Sequence, residues 1–333
     1  MPVSDKKLRI KNTNGTLEEA TIYTTEEELT PYQVYPLKVM KDNVSYFIPA
    51  GNEAHPNKTS VIIQAPSGNT KIRILSFVGK RIIDLDNKYR MSELYPSIYQ
   101  TMTEIPNIEN TEFKIKNRTN LVFMFSNCQA LTSIPQLDTS KVTNMSRMFY
   151  NCQNLTSIPP LDTSKVTDME GMFWDCTRLT TISQLDTSKV TDMKNMFSDC
   201  QKLTSIPQLN TSNVTDMKNM FYNCQNLTSI PLLDTSNVID MGDMFSHCQK
   251  LTSIPTLNTS KVTNMYGMFA SCQKLTSIPT LDISSIPNAD AMKDMLYNVK
   301  VTSVTFKNKP TGLQIDSQLL CGDPNKIKSI NFV

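Results

Sequence analysis

The chain has 333 residues, of which 39% are hydrophobic and 19% charged, the balance of a folded globular chain. Lys and Arg number 33 against 31 Asp and Glu, a net charge of +2, so no nucleic-acid polyanion is expected as partner. No apolar run reaches the roughly 18 residues of a transmembrane helix, and the start Met1-Pro2-Val3-Ser4-Asp5-Lys6-Lys7 lacks the apolar core of a secretory signal. The expectation is a chain made in a cytosol, without membrane insertion.

Residues 1–78 carry short β-like runs: Leu8–Ile10, Ala20–Tyr23, Leu37–Val39, Tyr46–Ile48, Val61–Ile63 and Ile72–Leu75. Several alternate apolar and polar residues, as half-buried strands do. Lys41-Asp42-Asn43 and Ser67-Gly68-Asn69 read as turns. A small all-β domain is predicted that docks the chain to a larger assembly or to another copy of itself, or else caps the rest. With Ala-Thr-Ile-Tyr-Thr-Thr at 20–25 and Lys-Asp-Asn-Val-Ser-Tyr at 41–46, it resembles small N-terminal β modules of phage structural proteins.

Residues 79–333 read as one solenoid, with regular coils over about 121–283. Cys128, Cys152, Cys176, Cys200, Cys224, Cys248 and Cys272 are each 24 residues apart, and a fixed period of this size marks stacked repeats. An odd set of equivalent cysteines cannot pair off into disulfides. With only His55 and His247 and no Cys-x-x-Cys, zinc is not expected either, nor any other metal or cofactor. The thiols are read as a small apolar filler at one place in every coil.

Within one coil, Met193, Met196, Phe197 and Cys200 fall at i, i+3, i+4 and i+7, the spacing of one face of a short helix, with Thr191 or Asp192 at its N-cap. Leu203, Ile206 and Leu209 then recur every third residue, which suits a short extended strand before the Asp/Asn-Thr-Ser turn. The predicted class is α/β, each coil being a short strand plus a short helix. At the N-terminal side, Met91–Ile98 and Met102–Ile108 match the same pattern, with Ile98 in the cysteine position and a five-residue insertion near 111–116 before the first regular coil. At the C-terminal side, Met292-x-x-Met295-Leu296-x-x-Val299 matches it with Val299 in that position, and Cys321 is expected to rejoin the cysteine column.

The shared string Leu-Asp-Thr-Ser-Lys/Asn-Val-Thr-Asp/Asn-Met-x-x-Met-Phe-x-x-Cys-x-x-Leu, at 137–155, 161–179, 185–203, 209–227, 233–251 and 257–275, resembles the BspA-like leucine-rich repeats of bacterial surface proteins. The resemblance implies a right-handed parallel solenoid with a strand-lined face, binding or adhesion at a surface, and no enzymatic activity. The uniform length of 24 is a departure, since many family members run a residue or two longer.

No phosphate-binding glycine loop and no nucleophile elbow occurs. His247 precedes Cys248, but its place is held by Asn127, Asn151, Asp175, Asp199, Asn223 and Ser271 in other coils, so it reads as a variable solvent position. Asp138, Asp162, Asp186 and Asp234 alternate with Asn210 and Asn258 and read as turn acceptors, not calcium ligands. Positions that vary between coils are free to serve a partner. One stripe holds Ser126, Tyr150, Trp174, Ser198, Tyr222, Ser246 and Ala270, so Tyr150, Trp174 and Tyr222 are candidate partner contacts. Thr156, Thr204 and Thr228, in a near-invariant threonine row, are candidates for contact with a polar ligand such as a glycan. The layout favours a virion-displayed phage protein meeting a protein or glycan on a host surface. A bacterial cell-surface adhesin and an intracellular scaffold are the alternatives.

Overall fold

A computed structural model describes residues 100–103 and 118–333 in full, together with the backbone of four short strands before them. The chain divides into two compact units, Met1–Asp86 with Glu104–Lys114, and Asn87–Thr103 with Ile115–Val333. In the first, β1 (Lys7–Lys11) pairs antiparallel with β2 (Leu17–Thr21), Leu8 opposite Ala20, and β3 (Val34–Tyr35) pairs antiparallel with β4 (Ile48–Pro49). The expected runs at 8–10, 20–23 and 46–48 overlap β1, β2 and β4. The runs at 37–39, 61–63 and 72–75, both turns, the Ile98 position and the insertion near 111–116 lie outside the described residues.

The second unit is a stack of 24-residue coils, and it corrects the expected helix. Met193–Cys200 is a run of successive turns: Met196 N–H donates to Met193 O, Ser198 to Asn195, Cys200 to Phe197 and Leu203 to Cys200. The intervening N–H groups leave the coil. Met193, Asn195, Phe197 and Asp199 donate to Asp216, Lys218, Met220 and Tyr222 of the next coil at 2.7–3.1 Å. A helix would bond these groups within its own coil. The turn run instead gives every second one to a neighbour, so the coils are joined by main chain. It also returns apolar side chains inward every third or fourth residue, which is why its spacing mimics a helix face.

Two residues per coil make the turns possible by standing at positive φ: Asn195 at 55° and Asp199 at 60° in this coil, with Gly171, Asn219 and Asp243 at the first position elsewhere and Asn151, Asp175 and Asn223 at the second. Asn, Asp and Gly tolerate this region best. The residue expected as N-cap, Asp192, instead accepts the Lys194 N–H at 2.9 Å and belongs to a column of parallel bridges, Asn120–Asn144–Asp168–Asp192–Asp216–Asp240–Asn264.

The segment expected as the strand is extended but barely paired. Its inter-coil main-chain bonds are confined to the threonine row, as in Thr156 N–H to Thr132 O (3.3 Å) and Thr228 N–H to Thr204 O (3.3 Å). The strand-like ladder therefore lies on the Met–Phe–Cys side of the coil. Of the frayed match before the regular coils, residues 91–98 and 104–108 lie outside the described residues; at its described part, Met102 is buried in the leucine position and Thr132 N–H bonds Thr103 O.

The interior is columnar. Phe125, Phe149, Phe173, Phe197, Phe221, Phe245 and Phe269 are fully buried and stack nearly parallel, with centroids 5.4–5.8 Å apart. Thr187 Oγ1 donates to Asn210 O and accepts the Asn210 N–H, both at 2.8 Å, so a buried hydroxyl is satisfied at each such rung. The cysteines do more than fill space. Cys152 Sγ donates to Phe125 O at 3.0 Å, and Cys176, Cys200, Cys224, Cys248 and Cys272 repeat the bond one coil on at 3.0–3.2 Å. Burial pushes the thiols up, Cys128 and Cys272 to about 12, which keeps them protonated donors and poor nucleophiles.

Cys200→Val should fold and lose only about 1 kcal/mol, because Phe173 O keeps the Cys176 N–H when the thiol is gone. Thermal unfolding checks this. A loss of roughly 3 kcal/mol or more would show that the thiol bond, and not volume, is what the position requires.

Beyond residue 280 the coils change. β5 (Leu281–Asp282), β6 (Ser303–Lys307) and β7 (Ser329–Phe332) form a parallel sheet in that order. A three-residue lengthening precedes Met292, since Phe269 N–H bonds Met295 O. Helix α1 (Ser317–Cys321) is N-capped by Asp316, and Gly322 ends it at φ 71°. Cys321 does not rejoin the cysteine column. Leu296 N–H bonds Leu320 O, which puts Cys321 in the phenylalanine position, and its Sγ donates to Ser317 O within α1.

Candidate partner-binding surfaces

The first candidate surface lies beside the turn ladder on coils 124–176. Tyr150 and Trp174 follow Phe149 and Phe173 and stand half-buried, ring centroids 5.0 Å apart and tilted by 58°. Arg147 lies over Trp174 at 5.9 Å and over Phe123 at 5.5 Å, and its Nη2 holds Glu170 Oε1 at 2.6 Å. Gly171, at φ 55°, makes room for this packing; a Cβ there would stand 3.1 Å from Arg147 Cγ. Tyr222, the third expected member of the stripe, is two coils away across the buried Ser198 and packs edge-on against His247 at 5.7 Å. Two of the three aromatic candidates therefore meet and the third does not.

Sequence reasoning missed Phe123, Arg147 and Glu170. A signal for the first two was available, since they occupy the position that later coils give to Gly, Asn or Asp, yet stand at φ 57° and 52°. A bulky residue at positive φ costs about 1 kcal/mol or more. His247, at φ 63°, fills the second left-handed position, which explains the Asn/Asp run in its column.

The threonine candidates lie on a different side. Thr156, Thr204 and Thr228 are exposed in one row, and Thr156 Oγ1 and Thr228 Oγ1 donate to Thr132 O and Thr204 O at 3.4 and 3.3 Å. The hydroxyl hydrogens of Thr156 and Thr228 are thereby engaged. A shallow groove of about 650 Å³ runs past Gln208, Leu232 and Thr256 over a floor of Leu209 and Leu233. On its rim Leu232 is 64% exposed, where Gln208 of the preceding coil instead donates to Leu232 O at 2.7 Å.

Two columns of acids behave oppositely. Asp162, Asp186 and Asp234 each accept the hydroxyl and N–H of the serine two residues on, which holds their carboxyls below the usual value. These are the turn acceptors expected from sequence. In the bridge column, burial and the neighbouring carboxylates push Asp192 and Asp216 up. Asn144 Nδ2 donates to Asp168 Oδ2 at 3.0 Å and Asn264 Nδ2 to Asp240 Oδ1 at 3.0 Å, so an amide closes the acid run at each end.

Coils joined edge to edge around an apolar interior, with leucine, isoleucine and phenylalanine columns, define a solenoid of the leucine-rich-repeat class. A BspA type leucine-rich repeat region matches in 6 copies over residues 51–155. The array matches the family described as "Mycoplasma protein of unknown function, DUF285" over residues 119–229 and 202–308, more than half of the chain, and the chain belongs to that family. No curated protein matches it. Among solved structures, it is similar to a leucine-rich repeat protein from Eubacterium ventriosum, at 19% identity and a TM-score of 0.37, over 66% of this chain and 50% of that one. It is also similar to an internalin from Listeria monocytogenes, at 15% identity and a TM-score of 0.23, over 62% of this chain and 63% of that one. The chain thus spans half the length of the first and under two thirds of the second.

Proposed function

We propose that the chain is a non-enzymatic binding protein displayed on a bacterial cell surface, with the cluster of Arg147, Tyr150 and Trp174 as its contact with a protein partner. The observation that carries this reading is the backbone strain at Phe123 and Arg147. Stacking is served by Gly, Asn or Asp at their position, as the coils from Gly171 to Asp243 demonstrate. Two adjacent coils accept strain to place an aromatic ring and a guanidinium beside the only tryptophan. Half-exposed Trp, Tyr and Arg together are the residues most enriched where binding energy concentrates. Membership of a family described from Mycoplasma favours a cellular surface over a virion.

Trp174→Ala should reduce capture of the full chain on partner-bearing cells by at least about tenfold while the solenoid stays folded. Capture that is unchanged for both Trp174→Ala and Arg147→Ala sinks the cluster as the contact. Immunogold labelling of intact producing bacteria tests the placement: label that appears only after lysis overturns surface display.

A further inference from the structure

We propose that a second face of the solenoid binds a linear acidic glycan. This deepens the binding role proposed above and rests on it. The face comprises the eight residues that follow each cysteine, from 129–136 in the first regular coil to 273–280 in the last. Across these seven segments there is no Asp or Glu, and no Phe, Tyr or Trp. They carry Arg178, Lys202, Lys250 and Lys274, all at the second place of their segment and all exposed. The chain as a whole is nearly neutral, so its acids have been sorted onto other columns.

Internal repetition shows that stacking does not call for these cations. In the remaining coils the same place can hold asparagine, whose amide closes a carbonyl of the preceding coil: Asn154 Nδ2 to Gln129 O at 2.9 Å, and Asn226 Nδ2 to Gln201 O at 2.6 Å. The four cations make no such bond and, among the described residues, no ion pair. Arg178 and Lys202 are one coil apart, as are Lys250 and Lys274, so like charges stand roughly 5 Å apart along the axis, in a row about 20 Å long. Among the described residues no carboxylate pairs with these cations to relieve that repulsion; a polyanion laid along the axis would.

The rest of the face selects among polyanions. Single-stranded nucleic acid is held by aromatic stacking platforms, and the face has none. Duplex DNA is read by an element that enters a groove, and stacked coils present no such projection. The face offers rows of threonine and serine hydroxyls and glutamine amides, which suit the hydroxyl-rich, anionic surface of a sulfated or carboxylated sugar chain.

Immobilised heparin serves as the probe, with the full chain in solution. Retention at low salt that weakens as salt rises is expected, with none on neutral dextran. The combined variant Arg178→Asn, Lys202→Asn, Lys250→Asn, Lys274→Asn keeps the residue the array itself uses there, so it should fold, and it should bind heparin at least about tenfold more weakly. Lys165→Asn with Lys189→Asn, on another column, should stay within about twofold of the parent. The proposal is overturned if the parent is not retained, if the fourfold variant binds as the parent does, if the control pair loses as much, or if single-stranded DNA or anionic lipid vesicles bind more tightly than heparin. Trp174→Ala should leave heparin binding intact, so a failure of this face and a failure of the aromatic cluster give different results.

Discussion

Phe197→Ala should cost about 3–5 kcal/mol and split the unfolding of the solenoid into two steps. The ring is fully buried between Phe173 and Phe221, with centroids 5.8 and 5.7 Å away, so the cavity opens in the middle of a continuous column. The surrounding main chain is fixed on both sides, Phe173 N–H to Met196 O and Phe197 N–H to Met220 O, and collapse onto the void would break these bonds. In a stack whose coils touch only their neighbours, a weak interface uncouples the halves. Trp174 reports the half before the lesion and far-ultraviolet circular dichroism reports both. The two transitions should coincide in the parent and separate in the variant. A loss under about 1 kcal/mol, or coincident transitions at a lower midpoint, would show that the column relaxes as a whole.

Asp192→Asn combined with Asp216→Asn should raise stability at neutral pH by about 1 kcal/mol, since both carboxyls are only half-buried and solvent screens part of their repulsion, a gain of a few degrees in Tm. Burial and the adjacent carboxylates hold both carboxyls above the usual carboxylate range, while Lys194 and Lys218 relieve Asp216 only in part. A carboxyl raised in the folded state favours folding most below the unfolded value, and that contribution is lost as pH climbs through the folded value. The parent should therefore gain stability from these two groups as pH falls from neutral toward 4. Asparagine removes the repulsion and adds the amide-to-carboxylate contact already present at Asn144–Asp168 and Asn264–Asp240. Asp162, Asp186 and Asp234 pull the other way, since carboxyls lowered by serine bonds lose their contribution as pH falls. The readout is Tm against pH for both proteins: the variant should lie above the parent near pH 7 and converge with it toward pH 4. Equal curves at neutral pH would mean that solvent already screens the bridge-column acids.

The coil, its period and its buried columns could be read from cysteine, leucine and phenylalanine spacing alone, because each interior column repeats one residue type from coil to coil. The secondary structure could not. Met193, Met196, Phe197 and Cys200 satisfy a helical spacing and a turn-run spacing equally, and the deciding positions were those of Asn195 and Asp199, which most coils fill with Asn, Asp or Gly, the residues that tolerate positive φ. Cys321 looked like a member of the cysteine column because residue type was matched without counting the lengthening before Met292. At the aromatic cluster, Trp174 and Tyr150 stood out by type. Arg147 did not, since its importance lies in a backbone angle and in a glutamate one coil away.

The turn ladder also bears on how such an array changes length. Each N–H that the turn run sends forward meets the residue 23 places on, one before its own counterpart in the next coil, as in Asn195 to Lys218 and Asn219 to Gly242. Excising residues 190–213 would bring Val214 directly after Lys189 and leave every rung facing its usual counterpart. A gene built from such units can lengthen or shorten by slippage in whole coils without disturbing reading frame, register or core. The aromatic cluster occupies one address near the start of the regular array, whereas the cationic row is spread along it. Changes in copy number would therefore leave the first surface untouched while scaling the reach of the second.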